Sequence, residues 1–182
     1  MEETTCQVNY ASRVFQFTKR MYPFIPNEIT NYLSKHGFFT APASTKYHGS
    51  YEGGLFDHSF EVAETLWELT KANGLVWQRP ESPLIVGMFH DLCKMDAYIR
   101  DIGEQCWVYN NESLLKGHGD KSVMKLASLM KLTEEEVACI RYHMGAFTEK
   151  EEWQDYTRAV HAYPNVLWTH HADMIASHVK GV

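Results

Sequence analysis

No stretch of this 182-residue chain stays apolar for the roughly 18 residues that a membrane-crossing helix needs, so no span is expected. The N-terminus, MEETTCQVNY, lacks the basic region and apolar core of a signal peptide, which points to a cytoplasmic protein. Cysteine is sparse and scattered. Cys6, Cys93, Cys106 and Cys139 form no C-x-x-C, which argues against a disulfide framework or thiolate zinc site and for reduced core or surface thiols. Positive charge is in deficit: the net charge of -6 disfavours a broad nucleic-acid-binding surface but leaves room for a local anion pocket. There is no repeat, no low-complexity tract and no composition shift that would mark a domain boundary, and the length suits one domain.

What the chain does hold is an ordinary globular share of apolar residues, 45%, with ten Tyr, nine Phe and five Trp. Residues 1–36 read as one or two short helices, the first with Val8, Phe15 and Phe17, the second with Ile29, Tyr32 and Leu33. Residues 37–54 are punctuated by Gly, Pro and Ser and read as an ordered loop in which Phe38, Phe39, Tyr47 and Tyr51 need packing partners. Helical spacing then runs from about Leu55 to Ala72, and an apolar run predicts a helix over Pro83–Asp96. AYIRDIGEQCWVYN predicts a small hairpin turning at Gly103-Glu104. Further helices are expected over residues 119–131, with Val123, Leu126, Ala127 and Met130 inward, and from Thr133 to about Met144, opened by a Thr133/Glu136 capping box. A polar segment rich in Glu and Trp separates these from a last helix after Pro164, with Leu167, Ala172, Ile175, Ala176 and Val179 inward. The expected class is all-α with a small β-hairpin.

Ten histidines are many for this length. In PLIVGMFHDLCKMD, His90 and Asp91 enter an apolar helix, where an imidazole and a carboxylate are costly to bury without partners, and a metal ion is one such partner. A His-Asp pair alone means little, since this composition yields roughly 0.4 by chance. Other candidate donors follow at regular intervals: His58 in GGLFDHS, His118 in KGHGDKS, His143 in IRYHMG and Asp173 in HHADMIAS. One donor group arrives from each successive helix, which is how helical bundles build internal metal sites. Lys94, four residues after His90 and three after Asp91, would share their helix face.

The order His … His-Asp … His … His … Asp, with the flanks GGLFDHS, HDLCK, GHG and ADMIAS, resembles the two-metal subtype of the HD-domain superfamily of metal-dependent phosphohydrolases. The resemblance covers about Pro42 to His178 and implies a single HD-domain helical bundle over 1–182, with a helical extension at about 1–40 and the core at about 42–178. PASTKYHGSYEGGLFDHS resembles the lead-in to the HD domains of certain bacterial exoribonucleases and conjugation-related proteins, which often carry an additional His where His48 stands. The resemblance implies that His58, His90, Asp91 and Asp173 bind one metal and that Asp91, His118 and His143 bind the other, with Asp91 bridging. Such donors accept iron, manganese, cobalt, zinc, magnesium or nickel, so two divalent ions are expected without a fixed identity. The implied chemistry is hydrolysis of a nucleotide or related phosphoester through a hydroxide shared by the two metals, with Asp91 and Lys94 as catalytic residues.

Lys94 would contact the scissile phosphate, and its bland alternative is a solvated or salt-bridged lysine. His48, Arg100, Lys116 and Lys121 are further candidates for a phosphorylated substrate, against loop-packing or surface roles. His170 and His171 read as structural or as hydrogen-bonding a carboxylate. Trp107, Tyr109, Trp153 and Trp168 read as core or pocket wall. Two other functions share the donor set: a di-iron oxygenase on the same scaffold, and a non-catalytic nucleotide-binding module. The expected partner is a small phosphorylated molecule such as a nucleotide, or a short oligonucleotide, and not a membrane. The absence of a Gly-Tyr-Pro signature disfavours a cyclic dinucleotide. Oligomeric state is not legible in the sequence.

Overall fold

The computed structural model describes residues 2–101, 103, 106–115 and 117–182, with side chains from residue 9 onward. Among these residues the chain forms eight α-helices and one two-stranded antiparallel sheet, so the fold is mostly helical with a small hairpin. No helix is long and apolar enough to cross a membrane among the described residues. The chain divides into two compact units, each assembled from separate stretches.

The first unit comprises Met1–His58, Lys94–Ser113 and Val182. It contains α1 (Glu2–Met21), α2 (Asn27–Lys35), the first turn of α3 (Gly54–Asn73), and the strands β1 (Tyr98–Asp101) and β2 (Cys106–Tyr109). Its core is aromatic: Phe17, Phe38, Phe39 and Phe56 are buried, with ring centroids of neighbouring pairs 5.3–6.1 Å apart. Edge-to-face contacts of this kind add to simple area burial. The Gly-rich loop closes on itself through Ala43 N to Gly49 O (2.8 Å) and Leu55 N to Ala41 O (3.0 Å). Arg13 holds the start of α3 through two 2.9 Å bonds to Asp57. Phe38 and Phe39 find the predicted packing, whereas Tyr47 and Tyr51 are exposed, since the loop reaches the surface there. The hairpin pairs Tyr98 with Tyr109 and Asp101 with Cys106, as its alternation predicts; Glu104 of the expected turn lies outside the described residues.

The second unit comprises Ser59–Cys93 and Leu114–Gly181. It holds the rest of α3 together with α4 (Ser82–Phe89), α5 (Gly119–Ala127), α6 (Glu134–Arg141), α7 (Trp153–Ala162) and α8 (Asn165–Met174), the last running on into a π-helical segment, Ile175–Lys180. Every residue of α4 is buried. Two glycines permit close helix contacts: a Cβ at Gly87 of α4 would lie 2.4 Å from Ala63 Cα, and one at Gly119 of α5 would lie 2.1 Å from Arg141 O. α6 packs against α4, α5 and α8, and so occupies the middle of this unit.

Several helix boundaries depart from the periodicity. The run Pro83–Asp96 is not one helix: α4 ends at Phe89, and Leu92–Asp96 forms a 3-10 segment. A run that is buried all round has no polar face to fix its period, so the change of winding leaves no mark in the sequence. α5 stops at Ala127, which is exposed rather than inward, and α6 stops at Arg141. On α6, Ile140 is buried as its spacing predicts, together with Cys139, Glu135 and Glu136, while Val137 is half-buried. Leu167 and Val179 are exposed, because Leu167 lies off the inward face and i→i+5 winding shifts the phase before Val179. α7 falls in the segment read as merely polar; none of its residues is fully buried, and its stripe of Tyr156, Ala159 and Val160 is only half-buried.

Candidate metal centre

The His-Asp pair follows α4 directly. His90 N bonds Val86 O at 2.9 Å, closing the last helical turn, and both side chains are buried. The imidazole of His90 donates from Nδ1 to Gly87 O (2.8 Å) and sets Nε2 3.5 Å from Asp91 Oδ2. His143, just past α6, repeats the arrangement: Nδ1 donates to Ile140 O (2.7 Å) and Nε2 lies 3.5 Å from Asp91 Oδ1. His118, the residue before α5, brings Nε2 to 2.7 Å from the same Oδ1, with Nδ1 3.6 Å from Cys93 Sγ. One carboxylate therefore faces three imidazoles, Oδ1 toward His118 and His143 and Oδ2 toward His90.

A carbonyl oxygen only accepts, so the Nδ1 atoms of His90 and His143 carry protons, and each ring when neutral turns an Nε2 lone pair toward the carboxylate. Acceptors facing acceptors need a proton or a cation between them. The buried His143 Nε2 makes no hydrogen bond among the described residues. The electrostatics carry the same tension. Burial pushes His90 down, but Asp91 and then Asp173 outweigh it and leave the ring raised. At His118 burial is likewise outweighed, by Asp91 and Cys93, and the ring is raised to about 10. Burial dominates at His143 and lowers it, aided by the neighbouring His90 and His118.

Asp173, near the end of α8, is half-buried and groups with His90 and His143, each residue offering one donor atom within 4.8 Å of the others. Asp91, Cys93 and His118 form a second such group. Imidazole nitrogens and carboxylates, with one sulfur beside them, fit a divalent transition-metal ion. The supports behind the donors are also built in. His170 Nδ1 bonds His143 O at 2.9 Å, so of the two roles read for it His170 takes the structural one, bracing a main-chain carbonyl.

The second unit thus gathers five of the sequence-expected residues: His90, Asp91, His118, His143 and Asp173. Lys121 lies in the same unit, buried on α5. His58, His48, Lys94 and Arg100 belong to the first unit. His58 is buried in α3, its Nδ1 bonded to Val182 O at 2.9 Å and its ring 4.9 Å from that of His48. Lys94 is buried in the 3-10 segment, while Arg100 is exposed on β1 and lines a cleft of about 420 Å³ with Tyr51, Glu52 and Trp107. Lys116 lies outside the described residues. Cys93 joins the cluster with no C-x-x-C pattern to mark it; its place two residues after Asp91 is the one signal in the sequence.

No protein-family model, no curated protein and no solved structure matches this chain.

Proposed function

We propose that this protein is a metal-dependent phosphohydrolase of the HD-domain kind, acting on a nucleotide or related phosphoester. The observation that carries the reading is the division of Asp91, whose two oxygens face different imidazoles, as a carboxylate shared by two ions would. Two divalent ions bound there would acidify a water and stabilise charge on phosphoryl oxygens. The chain's own part is preorganisation. Nδ1 contacts fix the rings of His90, His118 and His143, and burial keeps bulk water from His90, Asp91 and His143. The sequence resemblance also gives His58 as a ligand of one of the two ions; within its own unit the ring is held through Nδ1 on a main-chain oxygen. The same resemblance gives Lys94 the role of contacting phosphoryl charge.

The test is a purified, metal-analysed protein loaded in turn with manganese, iron and cobalt and offered nucleotides and short oligonucleotides. Phosphate and nucleoside release is the expected result. No turnover at full metal occupancy overturns the proposal, and substrate-dependent oxygen uptake by the reduced iron form replaces it with an oxygenase.

A further inference from the structure

His90 and His143 share one kind of support: each bonds the carbonyl three residues earlier, at 2.8 and 2.7 Å. His118 precedes its helix instead of ending one, so no preceding helical turn supplies a carbonyl to its ring. Its Nδ1 faces Cys93 Sγ at 3.6 Å instead. That sulfur is fixed in place. Cys93 is 3% exposed, its N–H donates to Ser122 Oγ at 3.0 Å, and Ser122 N bonds His118 O at 3.2 Å. Cys93, His118 and Ser122 therefore form a closed ring of contacts that sets where imidazole and thiol meet. On the far side of the ring, His118 Nε2 lies 2.7 Å from Asp91 Oδ1.

We infer that Cys93 is the positioning residue of His118: its sulfur accepts the Nδ1–H, fixes the tautomer and holds Nε2 toward the ion shared with Asp91, without binding that ion. The inference rests on the metal-centre reading above. A metal-bound histidine generally donates its second nitrogen to an outer partner, and here that partner is a thiol where the neighbouring rings use carbonyls. Sulfur is a weaker acceptor than a carbonyl oxygen, so His118 is the least firmly held of the three rings, and its half-exposed side chain agrees. Asp91, Cys93 and His118 are also close enough for direct thiolate ligation, and that rival arrangement has its own spectrum.

The experiment titrates the full reduced chain with cobalt(II), following stoichiometry and absorption. The wild type should bind two ions without the intense near-ultraviolet band of a cobalt–thiolate bond. Cys93→Ala should weaken one of the two ions by roughly 10–100-fold, the range for loss of an outer-shell partner. Cys93→Ser, which keeps an acceptor, should recover most of that loss. Nitrogen-15 spectra of the zinc-loaded wild type should show His118 protonated at Nδ1 and metal-bound at Nε2, a readout that stands even if neither variant folds. Unchanged binding by Cys93→Ala, a thiolate band that Cys93→Ala abolishes, or a metal on Nδ1 would each overturn the inference. No cobalt binding by the wild type would instead overturn the metal-centre reading beneath it.

Discussion

Asp91 shows one oxygen to His118 and His143 and the other to His90, so removing it and removing a single imidazole have different consequences. Asp91→Ala should lose both ions, each weakened by more than the roughly 100-fold reached by outer-shell changes. His118→Ala should weaken one ion and leave the other bound. Metal analysis after dialysis checks both, and unchanged occupancy in Asp91→Ala would refute the shared-carboxylate reading. Cys139 gives a second contrast at this scale. Its thiol is pushed well above the ordinary range by burial, opposed by a contact with Thr169. A thiolate and not a thiol is the reacting species, so Cys139 should resist alkylation in the folded protein and react fully in denaturant. The sign for stability follows: the unfolded thiol ionises near about pH 8.5 while the folded one does not, so this group's contribution is intact below that pH and falls above it. Peptide mapping after alkylation reads the first point directly.

Among the helices, α6 does the most to place the site. Its N-terminus is closed by the capping box of Thr133 and Glu136, as the sequence predicts. The Glu136 carboxylate, fully buried, also accepts from Arg79 Nε (3.1 Å), Arg79 Nη2, Ser82 Oγ (2.8 Å) and Thr133 N (2.9 Å). Beside it, Glu135 accepts from Gln78 N (2.7 Å) and Asn165 Nδ2 (2.8 Å). Two carboxylates thus clamp the chain just where it enters α4, the helix that delivers His90 and Asp91. Glu136→Ala leaves a partly exposed arginine unpaired and Ser82 and Thr133 without their acceptor, which should cost roughly 3 kcal/mol. Denaturant unfolding measures the loss, and metal affinity should fall with it because α4 loses its anchor. The capping box and the spacing of the donors were legible because local chemistry alone specifies them. The clamp was not: no local pattern marks Glu135 and Glu136 for burial, and only the partners from residues 78–82 and from Asn165, distant in sequence, bury them. The end of α4 and the π-helical winding after Asp173 were hidden for a similar reason, since winding within a buried run is set by what packs against it.

At the scale of the molecule, a protein of net charge -6 has buried imidazoles and two carboxylates around one point. Asp91 favours protons on two of these rings, raising His90 and raising His118 to about 10, while burial lowers His143. A divalent ion that replaces them binds the folded chain, where the donors converge, and not the unfolded one, where the successive groups His90-Asp91, His118, His143 and Asp173 lie 25–30 residues apart in sequence. Folding stability must then rise with metal concentration, by about 2.7 kcal/mol when free ion reaches a hundred times its dissociation constant. For a chain of this size that is a rise of roughly 5–10 °C in melting temperature, reversed by a chelator. The order of metals is informative as well. Imidazole-rich donors favour cobalt, zinc and nickel over magnesium and calcium, which prefer oxygen. Thermal melts followed by circular dichroism should therefore show a large upward shift with cobalt or zinc and a small one with magnesium or calcium at the same concentration. Equal shifts for all four would mean that surface carboxylates bind the ions and the buried imidazoles do not, whereas a cobalt shift abolished by Asp91→Ala would locate the effect at the shared carboxylate.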